Sequence, residues 1–212
     1  GPLGVNVAAR SWLGPDLGKT KWRLWVFSPD TGIQAPVRGA LGLPAEEAQL
    51  SGIDQVLPNW SAFAKDGGCY LSDSMAQQLE VSPGDRLVVR GHDLILRGTF
   101  DPLKLEDEIT LLDGQRILPY DYSQEEEDWV NRDSQDAIEQ ETESASAMQP
   151  VADDDELYLP ARGVILMPTQ VLKQIGGDLR SISVACDSPE QASQVANTLM
   201  QTIVYPAYYA NK

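Results

Sequence analysis

The sequence contains few of the side chains that perform most enzyme chemistry. Among its 212 residues it has one histidine, His92, and two cysteines, Cys69 and Cys186. His92 falls in a predicted hairpin turn, where a histidine usually faces solvent, so we expect it to have no catalytic or metal-binding role. No other histidine can serve as the base of a Ser-His-Asp or Cys-His triad, and no Gly-x-Ser-x-Gly motif is present. Hydrolysis by those routes is not expected, and we predict no catalytic residue.

The two cysteines, Cys69 and Cys186, lie far apart in sequence and match no metal-ligand spacing. We expect two small buried residues in strands, and a disulfide between them is the alternative. Two cysteines alone do not indicate a cellular compartment. No metal site is predicted from them.

Phosphate-binding loops and long apolar runs are also missing. Neither Gly-x-x-x-x-Gly-Lys-Ser/Thr nor Gly-x-Gly-x-x-Gly occurs, so we predict no nucleotide cofactor. No apolar run approaches the roughly 18 residues that a membrane-spanning helix needs, and no signal-peptide pattern is present. Residues 1–4, Gly-Pro-Leu-Gly, match the remnant that a protease leaves after removal of an expression tag, which predicts that the chain is an excised piece of a longer protein.

The acidic charge is concentrated in one part of the sequence. The formal net charge is -16, and residues 101–156 hold 19 acidic residues against three basic ones. The remainder is balanced, with 13 residues of each sign. Nucleic acids and anionic lipids bind a basic face that displaces counterions, so we expect neither as a partner.

Carboxylates are plentiful, but their arrangement does not match a metal or catalytic site. Asp153, Asp154, Asp155 and Glu156 are consecutive, whereas an EF-hand loop alternates its ligands around a central glycine. Catalysis by a carboxylate pair needs a rigid cleft, and this run falls in a segment that we predict to be mobile. A solvated acidic run is the expected structure.

Several aromatic residues leave two interpretations open. They could line an apolar groove or contact a membrane surface, but core packing is the expected role for most of them. These residues are Trp12, Trp60, Tyr205, Tyr208 and Tyr209.

Short strands and helices are predicted along the first half of the chain. Lys21–Phe27 is dense in aromatic and β-branched residues and predicts a strand. Residues 32–60 are rich in proline and glycine, which predicts mainly irregular structure with one helical turn at Ala45–Leu50. Cys69–Leu71 predicts a strand, and Ser72 is placed to cap a helix that follows it.

Two hairpins and a mobile segment are predicted next. Asp113-Gly114 is a strong signal for a tight hairpin turn, and Gly91-His92 a weaker one. The first hairpin joins Arg86–Arg90 to Leu94–Arg97, and the second joins Glu108–Leu112 to Gln115–Leu118. Residues 119–156 lose periodicity and are crowded with polar side chains, so we predict an acidic loop without fixed structure.

The last third of the chain predicts a βαβ unit. An apolar strand at Gly163–Met167 leads into a short helix that ends at Gly176-Gly177. Ile182, Val184 and Cys186 alternate with small polar residues, as in a half-buried strand. Ser188-Pro189-Glu190-Gln191 forms a capping box, which predicts the start of an amphipathic helix. Its apolar positions are Ala192, Val195, Ala196, Leu199 and Ile203, and residues 204–209 follow as a last strand.

Residues 69–91, CYLSDSMAQQLEVSPGDRLVVRG, continued by LILRGTF at 94–100, resemble the periplasmic core domain of MacB/FtsX-type ABC permeases. That family has an apolar strand, a helix of pattern Ser-x-x-x-Ala-x-x-Leu, a Gly-Asp turn and a hairpin in this order. Residues 163–172 and 182–192 are similar to the closing half of the same domain. The resemblance extends piecewise over residues 40–203.

The resemblance implies an α+β fold of two lobes, one βαβ-rich, porter-like and close to the membrane, the other β-rich and inserted into it. In this interpretation residues 5–70 and 157–212 form the first lobe, residues 71–118 the inserted lobe, and residues 119–156 an acidic insertion. It also implies a location on the extracytoplasmic side of the cell membrane, between two transmembrane helices. The expected partners are a cytoplasmic ATPase, a second permease copy or homologue, and a periplasmic or secreted protein.

The function that the resemblance implies is mechanical rather than chemical. Such a domain couples ATP-driven movement to the export or handling of a lipoprotein, peptide or drug, and it carries no catalytic residues, metal or cofactor. The alternative is a free-standing adaptor containing a β-barrel, because VSPGDRLVV at 81–89 also resembles turns of double-psi barrels that bind proteins. That fold needs two such repeats, and one is clear.

Overall fold

A computed structural model describes residues 6–15, 23–121 and 158–198, which form a mixed α and β fold around a single nine-stranded sheet. The strands are β1 (Asn6–Leu13), β2 (Leu24–Phe27), β3 (Gln34–Val37), β4 (Gly39–Leu43), β5 (Cys69–Ser72), β6 (Arg86–Val89), β7 (His92–Phe100), β8 (Val164–Pro168) and β9 (Asp178–Ala185). The described helices are fewer than the strands. They are α1 (Ala48–Ser51), α2 (Trp60–Asp66), α3 (Asp73–Leu79), α4 (Pro102–Glu108), α5 (Thr169–Gln174) and α6 (residues 189–198).

The strands follow the order β3-β2-β6-β7-β5-β8-β4-β1-β9 across the sheet. The pairs β4–β8 and β5–β7 are parallel, and the other neighbouring pairs are antiparallel. The contact between β5 and β8 is the narrowest in the described sheet, because one residue pair, Tyr70 opposite Leu166, joins them. The sheet is therefore mixed, with β3 and β9 at its two edges.

Helices cover both faces of the sheet because its central strands are apolar on both sides. Along β5, Cys69 and Leu71 pack in the apolar cluster that contains Leu79 of α3 and Leu172 of α5. Tyr70, between them, packs in the opposite cluster, which contains residues of α2 and α4. Successive side chains of a strand point to opposite faces, so the two clusters are the two layers of the core.

The predicted strand-helix unit at Cys69–Leu79 and the first hairpin are confirmed. Ser72 caps α3 by accepting a hydrogen bond from Met75 N at 3.3 Å. The turn between β6 and β7 is displaced by one residue from the prediction, since Arg90 and Gly91 hold its left-handed positions with φ of 49° and 82°. Two positive φ angles in sequence match a type I′ turn.

The prediction that residues 32–60 are mainly irregular is wrong, because β3 and β4 lie within them. Glycine and proline fit these strands because of tertiary contacts and of position in the sheet. A Cβ on Gly42 would lie 3.0 Å from Thr169 Cα, so glycine allows α5 to pack directly against β4. Pro36 lies in β3, at a sheet edge, where the missing N–H is tolerated. The predicted helical turn at Ala45–Leu50 is confirmed.

The second predicted hairpin is largely wrong. Glu108, where the first predicted strand was expected to begin, is instead the last residue of α4. Asp101 caps the start of α4 by accepting a hydrogen bond from Leu103 N at 3.0 Å. The turn itself is present, because Gly114 N donates to Leu111 O at 3.0 Å. The two predicted strands are reduced to a single bridge between Thr110 and Arg116.

The predicted strand at 163–167, the short helix after it and the strand at 182–186 are confirmed as β8, α5 and β9, whereas residues 204–209, the last strand of the predicted βαβ unit, lie outside the described residues. Ile182 remains 39% exposed because β9 is an edge strand, so the predicted burial of its apolar side chains is incomplete. At the start of α6, Gln191 N donates to Ser188 Oγ at 3.2 Å, and Gln191 Oε1 accepts from Asp187 N at 2.7 Å. Val195 is buried. Residues 199–209 lie outside the described residues, as do residues 122–156 of the predicted acidic loop.

Candidate functional site

The two cysteines are free, so the disulfide alternative is not realised. Cys69 is buried in β5, as predicted, whereas Cys186 follows β9 and is half-buried. Three strands separate β5 from β9, which places them about 19 Å apart at a usual strand spacing. Burial raises the pKa of the Cys69 thiol from 9.0 to about 12, and the positive charge of Arg97 offsets part of that effect. Cys69 is therefore protonated and unreactive at neutral pH.

His92 lies at the first position of β7, paired with Val89, and not in the turn itself. Its side chain is half-buried. The acidic run 153–156 lies outside the described residues. Within residues 6–15, 23–121 and 158–198, no group of three or more histidine, cysteine, aspartate or glutamate side chains is close enough to hold a metal ion.

The two described aromatic candidates are packed against other rings. Trp12 is buried, and its ring centroid lies 5.5 Å from that of Tyr120. Trp60 is half-buried with its centroid 5.0 Å from that of Phe63. Core packing is therefore confirmed for these two. Tyr205, Tyr208 and Tyr209 lie outside the described residues.

A fully buried ion pair joins three separate parts of the fold. Arg10 of β1 donates to both oxygens of Glu47, from Nε at 2.7 Å and from Nη2 at 2.8 Å. Its remaining terminal nitrogen, Nη1, donates to Ser183 Oγ of β9 at 2.7 Å. This pair was not predicted from the sequence, although an arginine between Ala8 and Trp12 in a strand of small and apolar residues was a visible signal.

A cavity of about 260 Å³ lies where β1 ends and β9 begins. We call it the β1-end cavity. Sequence reasoning singled out one of its lining residues, Trp12. The residues around it are Trp12, Leu13, Gly14, Pro15, Arg90, Pro119, Tyr120, Gly176, Asp178 and Arg180. It therefore combines two guanidinium groups with two aromatic rings, and it is formed by segments that are distant in sequence.

A second cleft, of about 530 Å³, lies beside the N-terminal ends of α3 and α4. It contains carboxylates, but two of these have structural roles. Asp101 caps α4, and Glu106 accepts a hydrogen bond from Ala161 N at 2.7 Å. Arg162 also lines the cleft and opposes its acidic charge. These contacts explain Asp101 and Glu106 by local folding.

The chain enters and leaves the described sheet at the same end of one strand pair. Asn6, the first residue of β1, lies opposite Ala185, the last residue of β9. At the far end of this pair Trp12 lies opposite Asp178, beside the β1-end cavity. Six residue steps separate the two ends, which is about 20 Å in a strand.

Among the described residues, no helix combines the length and apolar character that a membrane span requires. No protein-family model matches the chain, and no curated protein matches it. The described residues form a mixed α and β domain with one nine-stranded sheet and helices on both faces. The β1-end cavity, which two arginines line, lies at one end of the β1–β9 strand pair.

Proposed function

We propose that the chain is the extracytoplasmic domain of an ABC-transporter permease, which transmits ATP-driven movement to a substrate or partner outside the membrane. The observation that carries the proposal is the antiparallel pairing of β1 with β9, with Asn6 opposite Ala185. A domain placed between two neighbouring transmembrane helices needs its incoming and outgoing segments close together. The pairing supports that arrangement, because it places the first and last described strands side by side, with α6 following Ala185.

The buried ion pair supports a mechanical role for the same region. Arg10 connects β1 to Glu47 and, through Ser183, to β9. Force applied at Asn6 or Ala185 acts on the two strands that this arginine links. A bidentate arginine-carboxylate pair in a buried site holds its partners in a defined geometry. In the proposal, Arg10 keeps the two tethered strands together as the membrane helices move.

The proposal includes two lobes that share the sheet. The membrane-proximal lobe contains β8, β4, β1 and β9 with α5 and α6. The inserted lobe contains β5, β7 and β6 with α3, and the narrow pairing of Tyr70 with Leu166 lies between the two. We assign β2 and β3 to the inserted lobe, because β2 pairs with β6, although the sequence boundaries placed them in residues 5–70.

In the proposal, other parts of the transporter perform the catalysis. ATP is hydrolysed by a cytoplasmic ATPase that the flanking transmembrane helices contact, and a second permease copy or homologue completes the assembly. A substrate such as a lipoprotein, peptide or drug, or a periplasmic or secreted protein, meets the domain outside the membrane. The acidic charge of residues 101–156 gives a nucleic acid no basic surface to bind.

The reading frame of the full-length gene tests the proposal most simply. We expect an apolar segment of about 20 residues close to each end of the region that encodes this chain. We also expect a gene for an ATPase with a phosphate-binding loop beside it, unless the same frame encodes that ATPase. A frame with no such apolar segments would contradict the proposal. The nine described strands form an open sheet, so no observation favours the barrel-containing adaptor.

A further inference from the structure

We propose that the β1-end cavity binds a carboxylate group of a small acid or of a peptide C-terminus. This inference does not depend on the permease assignment, because it rests on the cavity's side chains alone. The cavity has two arginines, Arg90 and Arg180, and one aspartate, Asp178. Its lining is therefore positive on balance, in a chain whose formal net charge is -16.

Arg90 is the residue on which the inference chiefly rests. Its Nη1 donates to Ile175 O, just beyond α5, at 2.7 Å, and this bond fixes the side chain at the cavity. No carboxylate within the described residues forms an ion pair with Arg90. A guanidinium has five N–H donors in a planar fork, so an arginine held by one bond still has donors for a carboxylate.

The backbone is left-handed both at Arg90 and at Gly176, which lies beside it. Arg90 occupies a left-handed turn position, φ 49°, where asparagine, aspartate or glycine is usually found. Gly176 has a φ of 99°, and a Cβ there would lie 3.4 Å from Arg90 Nη1. Arg90 and Gly176 therefore lie side by side, and both line the cavity.

The aromatic wall adds a second interaction. Trp12 and Tyr120 line the cavity with their ring centroids 5.5 Å apart. The indole N–H of Trp12 is buried and makes no hydrogen bond within the structure. Because that nitrogen is enclosed by protein atoms, the two rings offer the ligand apolar contact and not a hydrogen bond.

The volume limits the size of the ligand. About 260 Å³ is slightly below the range of about 300–1,000 Å³ that is typical of ligand pockets. The cavity therefore fits a small organic acid or the last residue of a peptide, and not a folded partner. These two sources share the carboxylate, and the experiment below separates them.

Isothermal titration calorimetry of the full chain tests the proposal with three probes. The probes are acetate, an N-acetylated tripeptide of sequence Ala-Ala-Phe with a free C-terminal carboxylate, and the same tripeptide as its C-terminal amide. We expect saturable binding of the free acid and at least tenfold weaker binding of the amide, because the charged hydrogen bonds are lost. Tighter binding of the tripeptide than of acetate identifies a peptide terminus, and equal binding identifies a small acid. Equal binding of acid and amide, or no binding of any probe up to about 10 mM, overturns the proposal.

Arg90→Gln is the decisive variant, because it removes the positive charge from the cavity. We expect it to weaken binding of the free acid about tenfold or more, and its urea midpoint shows separately how much stability the lost bond to Ile175 O contributes. Arg86→Gln is the matched control, since Arg86 lies in the same hairpin but pairs with Asp93 at 2.6 Å and does not line the cavity. If Arg86→Gln weakens binding as much as Arg90→Gln, the effect is one of general charge and the site is excluded.

Discussion

At the scale of single residues, the buried Arg10–Glu47 pair is the least expected feature of the fold. Two opposite charges that are removed from water are stable only when both are fully hydrogen-bonded. Each of the three guanidinium nitrogens of Arg10 donates a hydrogen bond, two to Glu47 and one to Ser183. The pair therefore specifies how β1, β9 and the segment around Glu47 fit together.

Removing one partner of the pair should strongly destabilise the protein. We expect Glu47→Ala to lower the free energy of unfolding by about 3–5 kcal/mol, because it leaves the Arg10 charge buried and unpaired. Urea unfolding followed by circular dichroism measures this change. The double variant Arg10→Met with Glu47→Leu is the control and should recover most of the loss. A loss below about 1 kcal/mol for Glu47→Ala would show that the pair is exposed to water.

The buried thiol of Cys69 should make stability fall at alkaline pH. The unfolded thiol ionises near pH 9.0, whereas burial raises the pKa in the folded protein to about 12. The stabilising contribution is complete below pH 9 and is lost as the pH rises toward 12, because the unfolded state releases its proton first. At pH ~10.5 the loss relative to Cys69→Ala should be about 2 kcal/mol. Urea midpoints of both proteins at pH 8 and pH 10.5 measure it, and parallel behaviour would contradict the assignment.

At the scale of elements, the sequence identifies those with strong local signals. The cap at Ser72, the glycine turn after Arg90 and the periodic apolar residues of β8 and α5 all act over a few residues. β4 was missed because its two glycines, Gly39 and Gly42, serve contacts with residues distant in sequence. Such contacts leave no local pattern, so the same glycines suggested irregular structure. The β1-end cavity was missed for the same reason.

The close packing of α5 on β4 can be tested at Gly42. A Cβ there would lie 3.0 Å from both Thr169 Cα and Leu172 Cδ2. We expect Gly42→Ala to destabilise the protein by about 1–3 kcal/mol, because overpacking forces the helix away from the sheet. Gly163→Ala is the matched control, since its Cβ would meet only the flexible Arg38 side chain at 3.4 Å. Equal urea midpoints for the two variants would contradict this description of the contact.

At the scale of the whole molecule, one apolar cluster crosses the narrow part of the sheet. It contains Leu24, Val26 and Leu87 from one half and Ile165 and Met167 from the other. A shared core favours cooperative unfolding even when few backbone hydrogen bonds join the halves. The two lobes of the proposal are therefore expected to unfold together.

Cooperativity can be measured with two spectroscopic probes in urea. We expect tryptophan fluorescence and far-ultraviolet circular dichroism to report a single transition with one midpoint. Ile165→Ala, in buried β8, should lower both midpoints equally through a loss of about 2–5 kcal/mol. Two separate transitions, or a shift of only one probe, would show that the halves unfold independently.

The side of the membrane on which the domain lies is the most direct test of the central claim. Leu112 is 56% exposed, so Leu112→Cys in a Cys186→Ser background places an accessible thiol on the surface, while Cys69 remains buried. The full-length protein that carries these changes is treated in intact cells with a maleimide that cannot cross the cytoplasmic membrane. The account predicts labelling before lysis that exceeds the labelling of the matched protein that retains Leu112. Labelling that occurs only after lysis would place the domain in the cytoplasm and contradict the account.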